Sequence, residues 1–325
     1  MDAKRIVAFG EILLRFTPQD DKPIAEATGF DCFYGGSEAN VAIGLAALGD
    51  KVSYITVLPD NELGLAAKDN LIKYGVNTNN ILIDGSVLGS YFIQKETDGV
   101  SAAVIYNRKG SEISKASVNT PFDYDEIFKD CGVFHISGIS FALSESCREL
   151  CFKFVNEAKK RGVLVSFDFN YRPRLWSADE AKPVFQKIIS LADIVFCGKM
   201  DLDTFFDEKT PEKVIEEYGC KYLVYRNRPE GKSGERMVSA LIYEKLESSI
   251  KRSIKITTGF KGDHRIGTGD AFDAGFIHAL CKDSSNLNEI IDFAVATFIV
   301  KHSVPGDFLA VSEEELGELF VKSQK

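Results

Sequence analysis

Short, continuously apolar runs alternate along this chain with longer segments in which apolar residues recur every three or four positions. Arg5-Ile6-Val7-Ala8-Phe9-Gly10 is the first run, and Glu11 follows it at once. A run apolar on both faces reads as a buried strand, here one that delivers an acid at its carboxyl end. Val41, Ala42, Leu45, Ala46 and Leu48 come next at helical spacing, with Gly49 as the stop. Residues 52–57 read as a strand and 62–74 as a helix ended by Gly75. From Gly132 the rhythm is regular, with strands at 133–136, 163–168, 194–196 and 222–225 and helices at 146–160, 178–191 and 211–218. Helices at 270–281, 288–302 and 312–322 complete the pattern. Strands alternating with helices imply an α/β fold with a mostly parallel sheet covered on both faces.

Two stretches depart from that rhythm. Residues 12–34 alternate loosely and are interrupted by Pro18, Pro23 and Gly29, which suits an edge hairpin or flap better than a core strand. Tyr91-Phe92-Ile93-Gln94 and residues 102–106 are short alternating segments, and alternation sets Val104, Tyr106 and Arg108 on one face. No linker or internal repeat interrupts the chain, so residues 1–325 read as one α/β domain with a β-rich excursion.

The candidate chemistry sits where glycines meet helices. Gly267-Thr268-Gly269-Asp270 opens the helix at 270–281, and the free backbone donors and dipole of such an N-terminus suit a phosphate group. A glycine turn with Asp270 as helix N-cap explains the same residues. Tyr34-Gly35-Gly36-Ser37-Glu38-Ala39-Asn40 is a second junction, where Ser37 can cap a helix. Capping does not account for the adjacent glycines Gly35 and Gly36 or for Asn40 one turn later, which suit close approach to a polyhydroxylated ligand. Ligands of open α/β sheets lie beyond the carboxyl ends of the strands, so Glu11, residues 168–176 and the loop after Tyr225 belong on that edge. Arg172, ahead of Pro173, is held in extended backbone where a guanidinium either recognises a carboxylate or phosphate or makes a surface ion pair.

Composition narrows the classes. A net charge of −9 argues against nonspecific nucleic-acid binding, which needs a basic surface. No stretch approaches the ~20 apolar residues of a membrane helix, and no signal-peptide pattern opens the chain. Seven scattered cysteines read as reduced core residues of a cytoplasmic protein, with Cys147 and Cys151 packing on one helix. The four histidines show no ligand spacing, so no metal site is assigned to the protein itself. Gly231-Lys232-Ser233 fails as a P-loop because Arg226 stands where the first glycine belongs, and Phe272 spoils a Gly-x-Gly-x-x-Gly reading.

The two glycine junctions, in this order on a βα frame, resemble the ribokinase-like (PfkB) carbohydrate kinases, over essentially the whole chain. Residues 36–40, 106–111, 170–176 and 301–308 look most like the branch acting on 2-keto-3-deoxygluconate. The resemblance implies a three-layer α/β/α domain with a small β-sheet lid from about 12–34 and 88–118. It also implies ATP-dependent phosphorylation of the sugar acid at its 6-hydroxyl, with Mg²⁺ arriving with ATP. By the same resemblance Gly35, Gly36, Ser37, Asn40, Tyr91, Tyr106, Arg108, Arg172 and Asp307, beside Glu11, line the sugar-acid site. Asp270 is then the base, and Gly267, Thr268 and Gly269 form an anion hole. Arg108 and Arg172 would pair with the C1 carboxylate.

The nucleotide half departs from the family pattern. Arg226-Asn227-Arg228-Pro229-Glu230-Gly231 replaces a Lys-Leu-Gly-x-x-Gly-like turn, His264 stands six residues before Asp270 where an acid is usual, and Asp263 is displaced by one. Gly198-Lys199-Met200-Asp201 replaces an Asn-x-x-Glu pattern. Arg226, Arg228 and Gly231, with Gly267 and Gly269, are the expected nucleotide contacts. A kinase of a neutral sugar such as fructose or ribose, and a sugar-acid-binding relative without turnover, fit the same residues. Short, edge-like lid strands need cover, which points to a homodimer or higher homo-oligomer.

Overall fold

The computed structural model describes residues 4–323 except 95, 97–100, 102, 208, 228–235, 261, 263 and 283–285. The strands, in chain order, are β1 (Arg5–Phe9), β2 (Leu13–Pro18), β3 (Phe30–Gly35), β4 (Val52–Ile55), β5 (Val57–Leu58), β6 (Leu82–Ile83) and β7 (Ser90–Gln94). They continue as β8 (Ala103–Asn107), β9 (Cys131–Ser137), β10 (Leu164–Asp168), β11 (Ile194–Gly198), β12 (Tyr222–Asn227), β13 (Met237–Lys245) and β14 (Ile250–Thr258). The main sheet runs in the order β14-β13-β12-β11-β10-β9-β1-β4. The six strands from β12 to β4 pair parallel, and β13 and β14 add an antiparallel extension.

Side chains of successive strand residues point to opposite faces, so the apolar runs feed two cores. Val7, Phe9, Phe134, Phe167 and Val195 pack on one face with Phe154 and Phe185, from helices Glu145–Lys160 and Ala178–Ile189. Ile6, Ala8, Tyr54, Ile194 and Phe196 pack on the other with Val41, Phe276 and Phe298, from helices Ser37–Ala47, Thr268–Cys281 and Leu287–Lys301. Thr268–Cys281 is apolar nearly all round and is buried along almost its whole length. This is the three-layer α/β/α arrangement the sequence pattern implied.

The 12–34 and 88–107 stretches form a separate four-stranded sheet in the order β3-β2-β7-β8. In it Tyr91 lies opposite Tyr106, and Arg15 lies beside Tyr91. The hairpin β13–β14 lies beyond the strands read from the sequence. Its signal is the two-residue alternation Val238, Ala240, Ile242, which are buried, while Ile254 and Ile256 of β14 stay exposed. Five of the seven cysteines are buried, Cys147 and Cys151 among them; Cys32 and Cys281 are exposed, which corrects the uniform core reading. Among the described residues no helix is long and apolar enough to cross a membrane.

Candidate active site

A cavity of about 910 Å³ opens beyond the carboxyl ends of the parallel strands, between the main sheet and the small one. Strand ends supply Glu11, Asp168 and Arg226; helix starts supply Gly36, Ser37, Asn40 and Gly267 to Asp270; the small sheet supplies Tyr91, Tyr106 and Arg108. Arg172 and Asp307 complete the set of expected residues on this wall. Gly35 stands just behind it, with its Cα so close to the Asp307 carboxylate that any Cβ would overlap it. Arg228, Gly231 and Asp263 lie outside the described residues.

Asp270 is the third residue of helix Thr268–Cys281, with Gly267 at the N-cap position, so it is not the cap. Its carboxylate accepts from Ser37 Oγ at 2.9 Å and from Asn40 Nδ2 at 2.7 Å. Asn170 Nδ2 in turn donates to Ser37 Oγ at 2.6 Å. Ser37 likewise caps nothing: Gly36 holds the N-cap position of helix Ser37–Ala47. The two glycine junctions therefore meet side chain to side chain across the sheet edge. Burial pushes the Asp270 carboxyl up to about 6, against the pull of Asn40 and Ser37.

Both junctions need glycine for a physical reason. Gly267 sits at φ +70°, and a Cβ there would run into the Asp307 carbonyl oxygen. At Gly36 a Cβ would run into the Glu11 carbonyl oxygen. Among the described residues no side chain caps helix Thr268–Cys281, so its amino-terminal turn faces the cavity with its dipole uncompensated by a cap.

The arginines divide into committed and uncommitted cations. Arg108 makes a buried ion pair with Glu11, whose other oxygen accepts from Ser111 Oγ at 2.6 Å. Arg15, in β2, pairs through Nε with Asp307 at 2.7 Å, and the Tyr91 hydroxyl donates to the same carboxylate. Burial raises the Tyr91 phenol well above its usual range and keeps it a donor. Arg226, at the cavity wall, is held against Asp168 at 3.1 Å and Asp273 at 2.9 Å. Arg172 Nη1 donates only to the carbonyls of Asn170 and Tyr171, and among the described residues no carboxylate pairs with it. Arg265, exposed at the rim two residues before Gly267, also lines the cavity.

Buried polar groups that the sequence reading left aside complete the floor. Glu38 accepts from Ser137 N at 2.9 Å, Ser137 Oγ at 2.8 Å and Ser140 Oγ at 2.7 Å, tying helix Ser37–Ala47 to the end of β9. Lys301, fully buried, donates to the carbonyls of Val304 at 2.8 Å and Gly306 at 3.0 Å and so shapes the turn that presents Asp307. Asp201 caps its own helix by accepting from Gly198 N at 2.8 Å, and burial lifts its carboxyl to about 6. Asp201 and Asn170 were visible as polar residues just past strand ends. Arg15 was legible only through the alternation Leu13-x-Arg15-x-Thr17.

A model of the pfkB family of carbohydrate kinases matches residues 3–222, two thirds of the chain. The chain belongs to that family. The pfkB frame extends past the matched segment: a 2-dehydro-3-deoxygluconokinase structure from Thermotoga maritima superposes with a TM-score of 0.88 at 31% identity, covering 98% of both chains. Among curated pfkB-like relatives, a 2-dehydro-3-deoxygalactonokinase of Haloferax volcanii is 26% identical over 96% of this chain and 95% of its own. A 5-dehydro-2-deoxygluconokinase of Clostridium perfringens is 29% identical over 99% of this chain and 98% of its own. Of the departures from the family pattern, Gly198 and Arg226 line the cavity and His264 is exposed next to Arg265, whereas Ser37 and Asn40 both donate to Asp270.

Proposed function

We propose that the protein is an ATP-dependent kinase of 2-keto-3-deoxygluconate that phosphorylates the 6-hydroxyl, with Asp270 as base. The observation that carries this reading is a cavity holding both a buried carboxylate at a helix N-terminus and one inner-wall arginine, Arg172, without a carboxylate partner among the described residues. The acid's C1 carboxylate would face Arg172. Arg108 supports the wall through Glu11 instead of meeting the substrate carboxylate as a free cation. A guanidinium facing a cavity without its anion disfavours neutral hexoses, which lack the matching charge.

The sugar hydroxyl gives its proton to Asp270, its oxygen bonds to the γ-phosphorus, and the bond from that phosphorus to the ADP oxygen breaks. The backbone amides of the Gly267–Asp270 turn lie where charge develops on the transferred group. The uncapped helix start and the Gly198–Asp201 and Arg265–Gly269 walls fit a nucleotide triphosphate. Mg²⁺ would come in with ATP and would neutralise phosphate charge there.

A second reading, a kinase of 5-keto-2-deoxygluconate, is favoured by the 29% identity to the clostridial relative. Coupled ADP release with both keto-deoxy acids, fructose and ribose decides among these. Highest kcat/KM with 2-keto-3-deoxygluconate is expected; faster turnover of fructose or ribose sinks the substrate assignment, and binding without turnover identifies a sensor. We place the enzyme in the cytoplasm. We also propose that copies pair through the small sheet acting as lid, whose outer face carries Phe16 stacked on Phe92 at 5.0 Å and Ile105 half exposed.

A further inference from the structure

Arg226 leaves the end of β12, two strands from Asp168 at the end of β10. Its guanidinium lies against the first turn of helix Thr268–Cys281, at the wall of the cavity. Nη1 donates to the Gly269 carbonyl at 2.8 Å and approaches Asp273 at 2.9 Å, while Nη2 donates to Asp168 at 3.1 Å. The group is also held 5.3 Å from the Phe272 ring and 5.7 Å from the Phe196 ring, so packing fixes its plane. A Cβ on Gly269 would come within 3.1 Å of Nη1, so the first turn rests directly on the guanidinium.

An arginine fork can bond in several directions at once from one rigid plane, which a lysine ammonium on a flexible stem cannot reproduce. The Gly269 carbonyl belongs to the same peptide unit as the Asp270 amide. Pinning that carbonyl therefore fixes the direction of the Asp270 N–H and the start of its side chain. We propose that Arg226 is a positioning residue for phosphoryl transfer: it cross-links Asp168, Asp273 and the Gly269 carbonyl so that the helix turn carrying Asp270 is held in its reactive geometry. The proposal rests on the kinase reading above and departs from a direct phosphate contact by Arg226.

The charges around Asp270 give the proposal a pH readout. Asp270 faces Ser37 and Asn40 from helix Ser37–Ala47, Asp168 from β10, Arg172 from the following loop, Arg226 from β12 and Asp273 on its own helix. Lys301 adds a more distant positive charge. Removing the Arg226 cation leaves the anionic neighbours less balanced, which moves ionisation of Asp270 to higher pH.

The test compares wild type with Arg226→Lys, Arg226→Met and the double variant Arg226→Met/Asp273→Asn, which removes the cation together with one carboxylate should the single variant fail to fold. Steady-state rates are taken with whichever sugar the wild type phosphorylates fastest. Arg226→Met should lose about 100-fold in kcat, the scale of a misplaced reacting group or a lost anion-hole donor. KM values for ATP and sugar should stay within about threefold, and Arg226→Lys should recover only part of the rate. The acid limb of kcat should move to higher pH in Arg226→Met. Hydrogen exchange of the peptide spanning 266–276 should accelerate while that of helix Glu145–Lys160 does not. This last measurement needs no substrate, so it still judges the proposal if no sugar tested is turned over. A rise in KM for ATP with kcat unchanged would show a phosphate contact and overturn the proposal. Unchanged kcat, an unmoved acid limb, or exchange at 266–276 equal to wild type would overturn it as well.

Discussion

Asp270→Ala gives the sharpest test of the catalytic reading. In the folded protein the carboxyl titrates near 6 because it is buried, and the Ser37 and Asn40 donors offset that burial only partly. At pH 7 roughly nine-tenths of the molecules then carry the base form, and its affinity for a proton exceeds that of an ordinary aspartate about a hundredfold. A general base in this position contributes on the order of 10²–10⁴ in rate. Asp270→Ala should therefore cut kcat by at least about 100-fold. Sugar-acid affinity measured calorimetrically should change little, since Arg172 and the Tyr91–Tyr106 wall remain. The wild-type kcat profile should fall below pH about 6 with unit slope, because protonation removes the base. The linkage sign for stability is the opposite of the usual carboxylate case. The native state keeps the Asp270 proton between about 4 and about 6 while the unfolded chain releases it, so stability falls as pH rises through that window. Asp270→Ala should flatten that dependence in urea melts at pH 4 to 7. Coupled ADP release from pH 5 to 8.5 reads the rates; an Asp270→Ala enzyme within tenfold of wild type, or an acid limb that survives the substitution, refutes the assignment.

Two further substitutions probe the cavity wall. Arg172→Ala should raise KM for the keto-deoxy acid by one to two orders of magnitude, the loss of a charge-assisted pair, with far less effect on a neutral sugar; equal effects on both would place Arg172 away from the carboxylate. Gly267→Ala should cost roughly 2–4 kcal/mol, from left-handed backbone plus overlap with the Asp307 carbonyl, and should abolish turnover. Thermal melting within about 1 °C of wild type with full activity would contradict that account.

Local chemistry in the sequence decided much of this protein. Apolar runs such as Ile6–Phe9 can only be buried on both sides, and helix patterns between them leave the parallel sheet as the arrangement that covers every face. The glycines before Ser37 and Asp270 were legible because close backbone approach excludes any other residue, and the edge where ligands gather followed from strand direction. What the sequence left open were pairings between distant residues. Ser37 and Asp270 are 233 positions apart, and nothing local told that each is the other's partner and that neither is a cap. Arg108, Arg172 and Arg226 carry the same charge, yet one is neutralised by Glu11, one has no carboxylate partner among the described residues and one is locked against a helix turn. The role of a charged side chain depends on which counter-charges burial brings within about 4 Å of it. That is a property of the packed chain, and only the tertiary structure could assign it.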